Sequence, residues 1–166
     1  MFKKTLIAMT LVGSSFCAFG ADVPITGNVE SKCIVQTDTL GVYGNPTPSV
    51  LSTDAVDGGV TPIIRFDVIQ ASYYKARIAY PNTFSQSPSL SDVPYWTGSV
   101  AVGEVSDTNM SAYSSALVTY DNVTEVDLTV AGSTWFEVTS QVTYGFDTAL
   151  PAGTYRAILS AECIAL

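Results

Sequence analysis

The 166-residue chain has no histidine at all. That absence excludes His-based zinc sites and every Ser-His or Cys-His nucleophile pair. Charge is also scarce: 13% of residues are charged, 7 Lys and Arg stand against 15 Asp and Glu, and the formal net charge is −8. So few cations cannot supply the basic footprint that phosphate backbones require, so nucleic acid is not an expected partner. No stretch of ten or more residues repeats apolar positions at i, i+3, i+4 and i+7, so amphipathic helices are not expected. Internal repeats, low-complexity tracts and a second-domain linker are missing as well. What is abundant is apolar residue, at 47%. That is too much for a disordered chain, and the length suits one domain with a sizeable core.

Residues 1–20 read as an export signal. Lys3 and Lys4 form a positive start, Thr5 to Val12 and Phe16 to Phe19 supply a short apolar stretch, and Ala18-Phe19-Gly20 places small residues for cleavage before Ala21. The apolar stretch is too short and interrupted for a stable membrane span, and no later run approaches the ~18 apolar residues a spanning helix needs. A lipoprotein acylated at Cys17 is the competing reading, disfavoured by the bulky Phe16 and the missing Leu before it. Cleavage takes away two lysines and no acid, which carries the net charge from −8 to −10. It also leaves two cysteines, Cys33 and Cys163, 130 residues apart. An even pair in an exported chain reads as a disulfide; no CxxC spacing supports free thiols for metal or redox work.

The remaining pattern predicts an all-β chain. Apolar residues recur with period two, and Val, Ile, Thr, Tyr, Phe and Trp are plentiful. Turn signals stand at Gly44-Asn45-Pro46, Asp57-Gly58-Gly59, Tyr80-Pro81-Asn82, Ala131-Gly132-Ser133 and Pro151-Ala152-Gly153. Strands are expected near 33–43, 61–70, 75–80, 96–105, 116–120, 123–130, 134–146 and 154–165, with 81–95 a long Ser- and Pro-rich loop. An antiparallel two-sheet sandwich of immunoglobulin-like architecture is the natural solution.

The two ends of the chain are the most informative. Val23, Ile25, Gly27, Val29, Ser31, Cys33 and Val35 share one face of an N-terminal strand. Tyr155, Ala157, Leu159, Ala161, Cys163 and Ala165 share one face of the last. Both cysteines fall on the faces assigned to the core, as a bridge between the two segments requires. If the strand that ends at Leu166 is the sixth of seven, the sandwich is incomplete and lacks its final strand. Core side chains and unpaired backbone groups would then face water along a groove. An extended partner with alternating apolar residues would fill it, and residues 22–31 have that form.

Val29-Glu30-Ser31-Lys32-Cys33-Ile34-Val35 followed by Leu40-Gly41-Val42-Tyr43-Gly44 resembles the opening of archaic chaperone–usher pilins of the spore coat protein U-like family. Leu150-Pro151-Ala152-Gly153-Thr154-Tyr155-Arg156-Ala157-Ile158-Leu159 is similar to the PAGxY turn and closing strand of many pilins. The resemblance implies a structural subunit of a bacterial surface fimbria, polymerised by donor-strand exchange and supporting adhesion or biofilm formation. It divides the chain into a signal peptide (1–20), a donor-strand extension (21–32) and a pilin sandwich (33–166). Val23, Ile25, Gly27 and Val29 would be the donor-strand residues. Ala157, Leu159 and Ala161, with Cys163, would line the acceptor groove. Other pilin subunits, a periplasmic chaperone and an outer-membrane usher are the implied partners, with a host or surface receptor a further one. The chain would pass through the periplasm to an extracellular fibre. Two departures from the family stand out: Pro24 cannot donate a ladder hydrogen bond, and many pilins bridge strands closer in sequence than Cys33 and Cys163.

Plainer readings stand beside these. The N-terminal strand could pair within its own domain, Gly27 could mark a bulge, and the whole could be a self-contained secreted sandwich that binds carbohydrate or another surface ligand. Tyr95-Trp96 and Tyr73-Tyr74 would stack on sugars if exposed, though aromatics in sandwiches more often pack in cores and loops. Asp121, Glu125 and Asp127 offer oxygens to Ca²⁺, but their spacing matches no EF-hand loop. Lys75 and Arg77 alternate on a strand and are expected to face solvent or pair with acids. Neither an enzymatic activity nor a cofactor is expected.

Overall fold

The computed structural model describes residues 24–27, 33–70, 74–145 and 148–166. Residues 1–20, read from the sequence as an export signal, and Val23, Val29, Lys32 and Tyr73 lie outside the described residues. Met1–Glu30 and Ser31–Leu166 are separate units. Of the first, Pro24 to Gly27 carry no regular hydrogen-bonded structure. The second holds β1 (Cys33–Thr39), β2 (Gly44–Thr47), β3 (Val50–Ser52), β4 (Ile63–Val68), β5 (Tyr74–Ala79) and β6 (Phe84–Gln86). It continues with β7 (Pro94–Val105), the one-turn helix α1 (Tyr113–Ala116), β8 (Val118–Tyr120), β9 (Val123–Leu128), β10 (Gly132–Tyr144), β11 (Arg156–Ala157) and β12 (Ser160–Ala165). Two single 3-10 turns, Ala55–Asp57 and Thr108–Met110, are the other helical pieces among the described residues.

All strand pairs are antiparallel. Strand β10 organises the larger sheet. Its first half pairs with β4 and its second with β3, while β7 runs along its other flank from Thr134↔Val105 to Tyr144↔Pro94. Strand β1 lies beyond β4, and β2 beyond β3. The second sheet has the order β12-β5-β9-β8, and β11 pairs with β6. Period-two alternation explains how the sheets meet. Ile64, Phe66 and Val68 of β4 and Phe136 and Val138 of β10 point inward, as do Ala76 and Ile78 of β5 and Val126 and Leu128 of β9. These side chains form one core cluster, so the sheets pack face to face. Phe66 and Phe136 sit at its centre, edge to face at 5.4 Å; a buried side chain of that size contributes about 2–3 kcal/mol of transfer free energy.

Several expectations are corrected. The turn read at Gly44-Asn45-Pro46 is instead strand β2, and the chain turns at Pro48-Ser49. Gly44 is needed for close packing, because a Cβ there would run into the backbone of Asp57 to Gly59. Asn45 holds the hairpin with amide bonds to the carbonyls of Thr47 and Val50 at 2.6 and 2.7 Å, and Pro46 is tolerated because β2 is an edge strand. The loop expected over 81–95 contains β6, and the strand expected from 116 starts only after α1. The closing strand breaks at Ile158-Leu159, its first piece pairing with β6 and its second with β5.

One flank of the sandwich is closed by the chain itself. On the side of β7 and β8, Met110 and Tyr113 are buried in the core. Helix α1 touches both β7 and β9, and the Tyr113 Oη accepts a 2.9 Å hydrogen bond from the Val130 N–H. On the other flank the edge strands β1 and β12 are joined by the expected Cys33–Cys163 disulfide, whose Cα atoms are 6.3 Å apart.

The outer face of the second sheet carries a ladder of charges. Lys75 Nζ lies 3.1 Å from Glu125 Oε2, and Arg77 Nη1 lies 2.8 Å from Glu162 Oε1, as the sequence suggested for these cations. Tyr120 donates a 2.6 Å bond to Glu125 Oε1. The Tyr120 hydroxyl first, and then Lys75, hold the Glu125 carboxyl below its ordinary value near 4.5. A depressed carboxylate contributes stability above its unfolded pKa and loses it as pH falls through the folded one. The urea midpoint is therefore expected to drop as pH is lowered below about 4.5, and Glu125→Gln to flatten that decline. Replacing both Cys33 and Cys163 by Ser should lower the unfolding free energy by about 2–5 kcal/mol in urea titrations, because the bridge closes most of the chain into one loop.

Candidate functional site

Beyond the disulfide the two edges part, and an open groove of about 900 Å³ lies between them. One bank is the end of β1 and the segment leading to β2. The β1–β4 register shifts between Thr37 and Thr39, after which Val42 exchanges hydrogen bonds with Val60 at 3.0 and 2.8 Å. Gly41 lies so close to the Pro62 ring that a Cβ would press on it at 3.0 Å. Leu40 and Val42 are left exposed on this bank.

The other bank is Gly153 to Leu159. Tyr155 anchors it, donating a 2.6 Å bond to the Pro151 carbonyl across the Pro151-Ala152-Gly153 turn. Its ring packs on Phe84, which in turn meets Trp96 with centroids 4.7 Å apart. Gly153 sits against Pro88, leaving no room for a Cβ. The PAGxY pattern is thus a hydrogen-bonded turn that fixes where the bank begins.

Buried Leu51 and Ile64, with Thr53 and Ser140, make the floor. Its hydroxyls are partnered: Tyr43 Oη lies 3.0 Å from Ser140 Oγ, and Thr53 Oγ1 accepts from the Ser140 N–H at 2.8 Å. Burial pushes the Tyr43 phenol above its ordinary value, against the opposing bond to Ser140, so it stays neutral at physiological pH. Among the described residues that line the groove, Arg156 is the one charged side chain. Strand β1 pairs with β4, β11 with β6 and β12 with β5; none of the three is hydrogen-bonded to a second strand among the described residues. An apolar floor between two open backbone edges suits an extended segment better than a small charged molecule.

The residues singled out from the sequence fall in different places. Ala157 and Leu159 line the groove. Ala161 does not; it packs against the core toward the disulfide, where Cys163 draws β12 to β1. Ile25 is 96% exposed, and no atom outside its chain neighbours lies within 4 Å of where a Gly27 Cβ would stand. Val23 and Val29 lie outside the described residues.

The sugar and calcium candidates dissolve into packing. Tyr95 is exposed while Trp96 turns to Phe84, so the two rings make no common platform; Tyr74 packs against the core. Glu125 is occupied by Lys75, Arg77 and Tyr120, and no metal-binding group of three acids or cysteines occurs among the described residues. Sequence reading missed the Leu40–Tyr43 bank and the floor, although an exposed Leu-Gly-Val run is a usable signal. No protein-family model matches the chain, nor does any curated protein or solved structure.

Tyr155→Phe removes the bond that anchors the second bank. Urea denaturation should report a loss of about 0.5–1.5 kcal/mol, and unchanged stability would show that the turn holds without it.

Proposed function

We propose that this chain is a structural subunit of a bacterial surface fimbria, polymerised by donor-strand exchange and supporting adhesion or biofilm formation. The observation that carries this reading is the apolar groove between the edges of β1 and β11. The sandwich plugs its opposite flank with Met110 and Tyr113, so the opening is one-sided, and its second bank runs from Gly153 to Leu159. In this reading the all-β body is an immunoglobulin-like sandwich that lacks its final strand. A partner strand supplies main-chain hydrogen bonds to both edges and places alternate side chains over Leu51 and Ile64.

The leading segment suits that role. Val23, Ile25, Gly27 and Val29 alternate with polar residues, and the exposure of Ile25 leaves an apolar side chain in need of cover. Pro24 lacks an N–H, so effective insertion starts at Ile25. Gly27 lets the donor backbone pass a crowded point in the groove. A periplasmic chaperone would fill the groove first, and an outer-membrane usher would exchange its strand for the leading segment of the next subunit. The signal-like residues 1–20 and the disulfide accord with such a route.

Strand exchange predicts a ladder of multimers that survives SDS without heating and collapses on boiling. Deleting residues 21–31 should leave monomers only, and Ala157→Trp should fill the groove and abolish the ladder without lowering the monomer's thermal midpoint. A chain that stays monomeric with chaperone and usher present, and that binds a surface ligand after the same deletion, would instead be a self-contained module.

A further inference from the structure

The mouth of the groove carries a cation, Arg156. Arg65 pairs with Asp67, Lys75 with Glu125 and Arg77 with Glu162. Arg156 is exposed on the outward face of β11 and has no ion-pair partner among the described residues. In a chain this acidic, an unpaired arginine beside an open strand edge points to a carboxylate supplied from outside. We infer that the occupant of the groove is a second copy of this chain, inserted antiparallel to β11 and β12 with its Glu30 beside Arg156. This rests on the strand-exchange reading and adds to it a charge pair and the register that it fixes.

The register follows from matching two alternating strands. With Glu30 opposite Arg156, the inward residues pair Val29 with Ala157 and Gly27 with Leu159, where Ala157 and Leu159 both line the groove, and Ile25 falls past its lined end, toward the disulfide. At both lined positions a large side chain meets a small one. On the outward face Thr26 stands opposite Ser160, a favourable cross-strand pair. Sliding two residues one way puts Lys32 opposite Arg156 and Val29 against Leu159. Sliding two the other way puts Asn28 opposite Arg156, Val29 against Tyr155 and Ile25 against Leu159. Both slides lose the charge pair and crowd large side chains together. Parallel insertion offers Asp22 to Arg156 instead, but it sets Ile25 against Leu159.

The same register forbids a chain from filling its own groove. It places Lys32 beside Thr154, whereas Lys32 is bonded directly to Cys33, which is held at Cys163. Nine extended residues separate Thr154 from Cys163, a distance of about 30 Å against one peptide unit of about 3.8 Å. Only another molecule can supply the segment.

Charge reversal in the full exported chain tests the pairing, read as the rate of multimer formation on unheated SDS gels. Glu30→Arg and Arg156→Glu should each slow assembly about five-fold, and the double reversal should return it to within about two-fold of the unaltered rate. Asp22→Asn should change nothing. Arg156→Gln, with circular dichroism of the monomer, guards against a folding defect in the reversal. Single reversals that assemble at the unaltered rate, a double reversal no better than the singles, or a loss that follows Asp22 would each overturn this register. If the unaltered chain forms no multimers, the strand-exchange reading itself fails.

Discussion

The two larger sheets of this protein are tied at one corner and sealed along one side, and the groove is what those two constraints leave open. Cys33–Cys163 holds the edges of β1 and β12 together at a single point. Past that point β1 bends through its register shift and crosses onto Pro62, while the last strand breaks at Ile158-Leu159 and leaves β5 for β6. The edges diverge because each follows a different neighbour. Backbone groups in such edges seek partners, since an unpaired buried N–H or C=O costs free energy comparable to a lost hydrogen bond.

The banks are not held alike. The second is braced by the Phe84, Trp96 and Tyr155 rings and by the Tyr155–Pro151 hydrogen bond, and the first by the β1–β4 ladder, the Val42–Val60 hydrogen bonds, the Gly41–Pro62 contact and the Tyr43–Ser140 bond. The floor is firm, since Ile64 belongs to a sheet interior and Ser140 to the long central strand. In the strand exchange proposed above, an incoming strand would lie on this floor between the two banks, its specificity set by which side chains face Ala157 and Leu159 and its affinity largely by main-chain bonds.

Much of the fold was legible because burial has period two. Strands β4, β5, β9 and β10 alternate apolar and polar residues so regularly that their inward faces could be read directly, as could the odd-numbered inward face from Tyr155 to Cys163. What misled was local chemistry with two uses. Gly44-Asn45-Pro46 has turn composition, yet its glycine serves a backbone crossing and its proline an edge strand. β6 was hidden because three residues among serines and prolines carry no period, and their pairing with β11 is decided across seventy residues of chain. The candidate site was half visible: Ala157 and Leu159 were placed, while the Leu40–Tyr43 bank and the floor were not, because a groove is a relation between segments distant in sequence.

By itself the sequence determined the all-β character, the inward faces of the long strands and the pairing of the only two cysteines that follow the leading segment. These depend on alternation and counting, which any extended chain displays locally. Tertiary structure alone decided which flank is plugged, by placing Met110 and Tyr113 in the core, and which stays open, by sending β11 to β6 and β12 to β5. The physical reason is that a sheet edge is satisfied or left bare by whatever lies beside it in space, and no local pattern of residues records its neighbour.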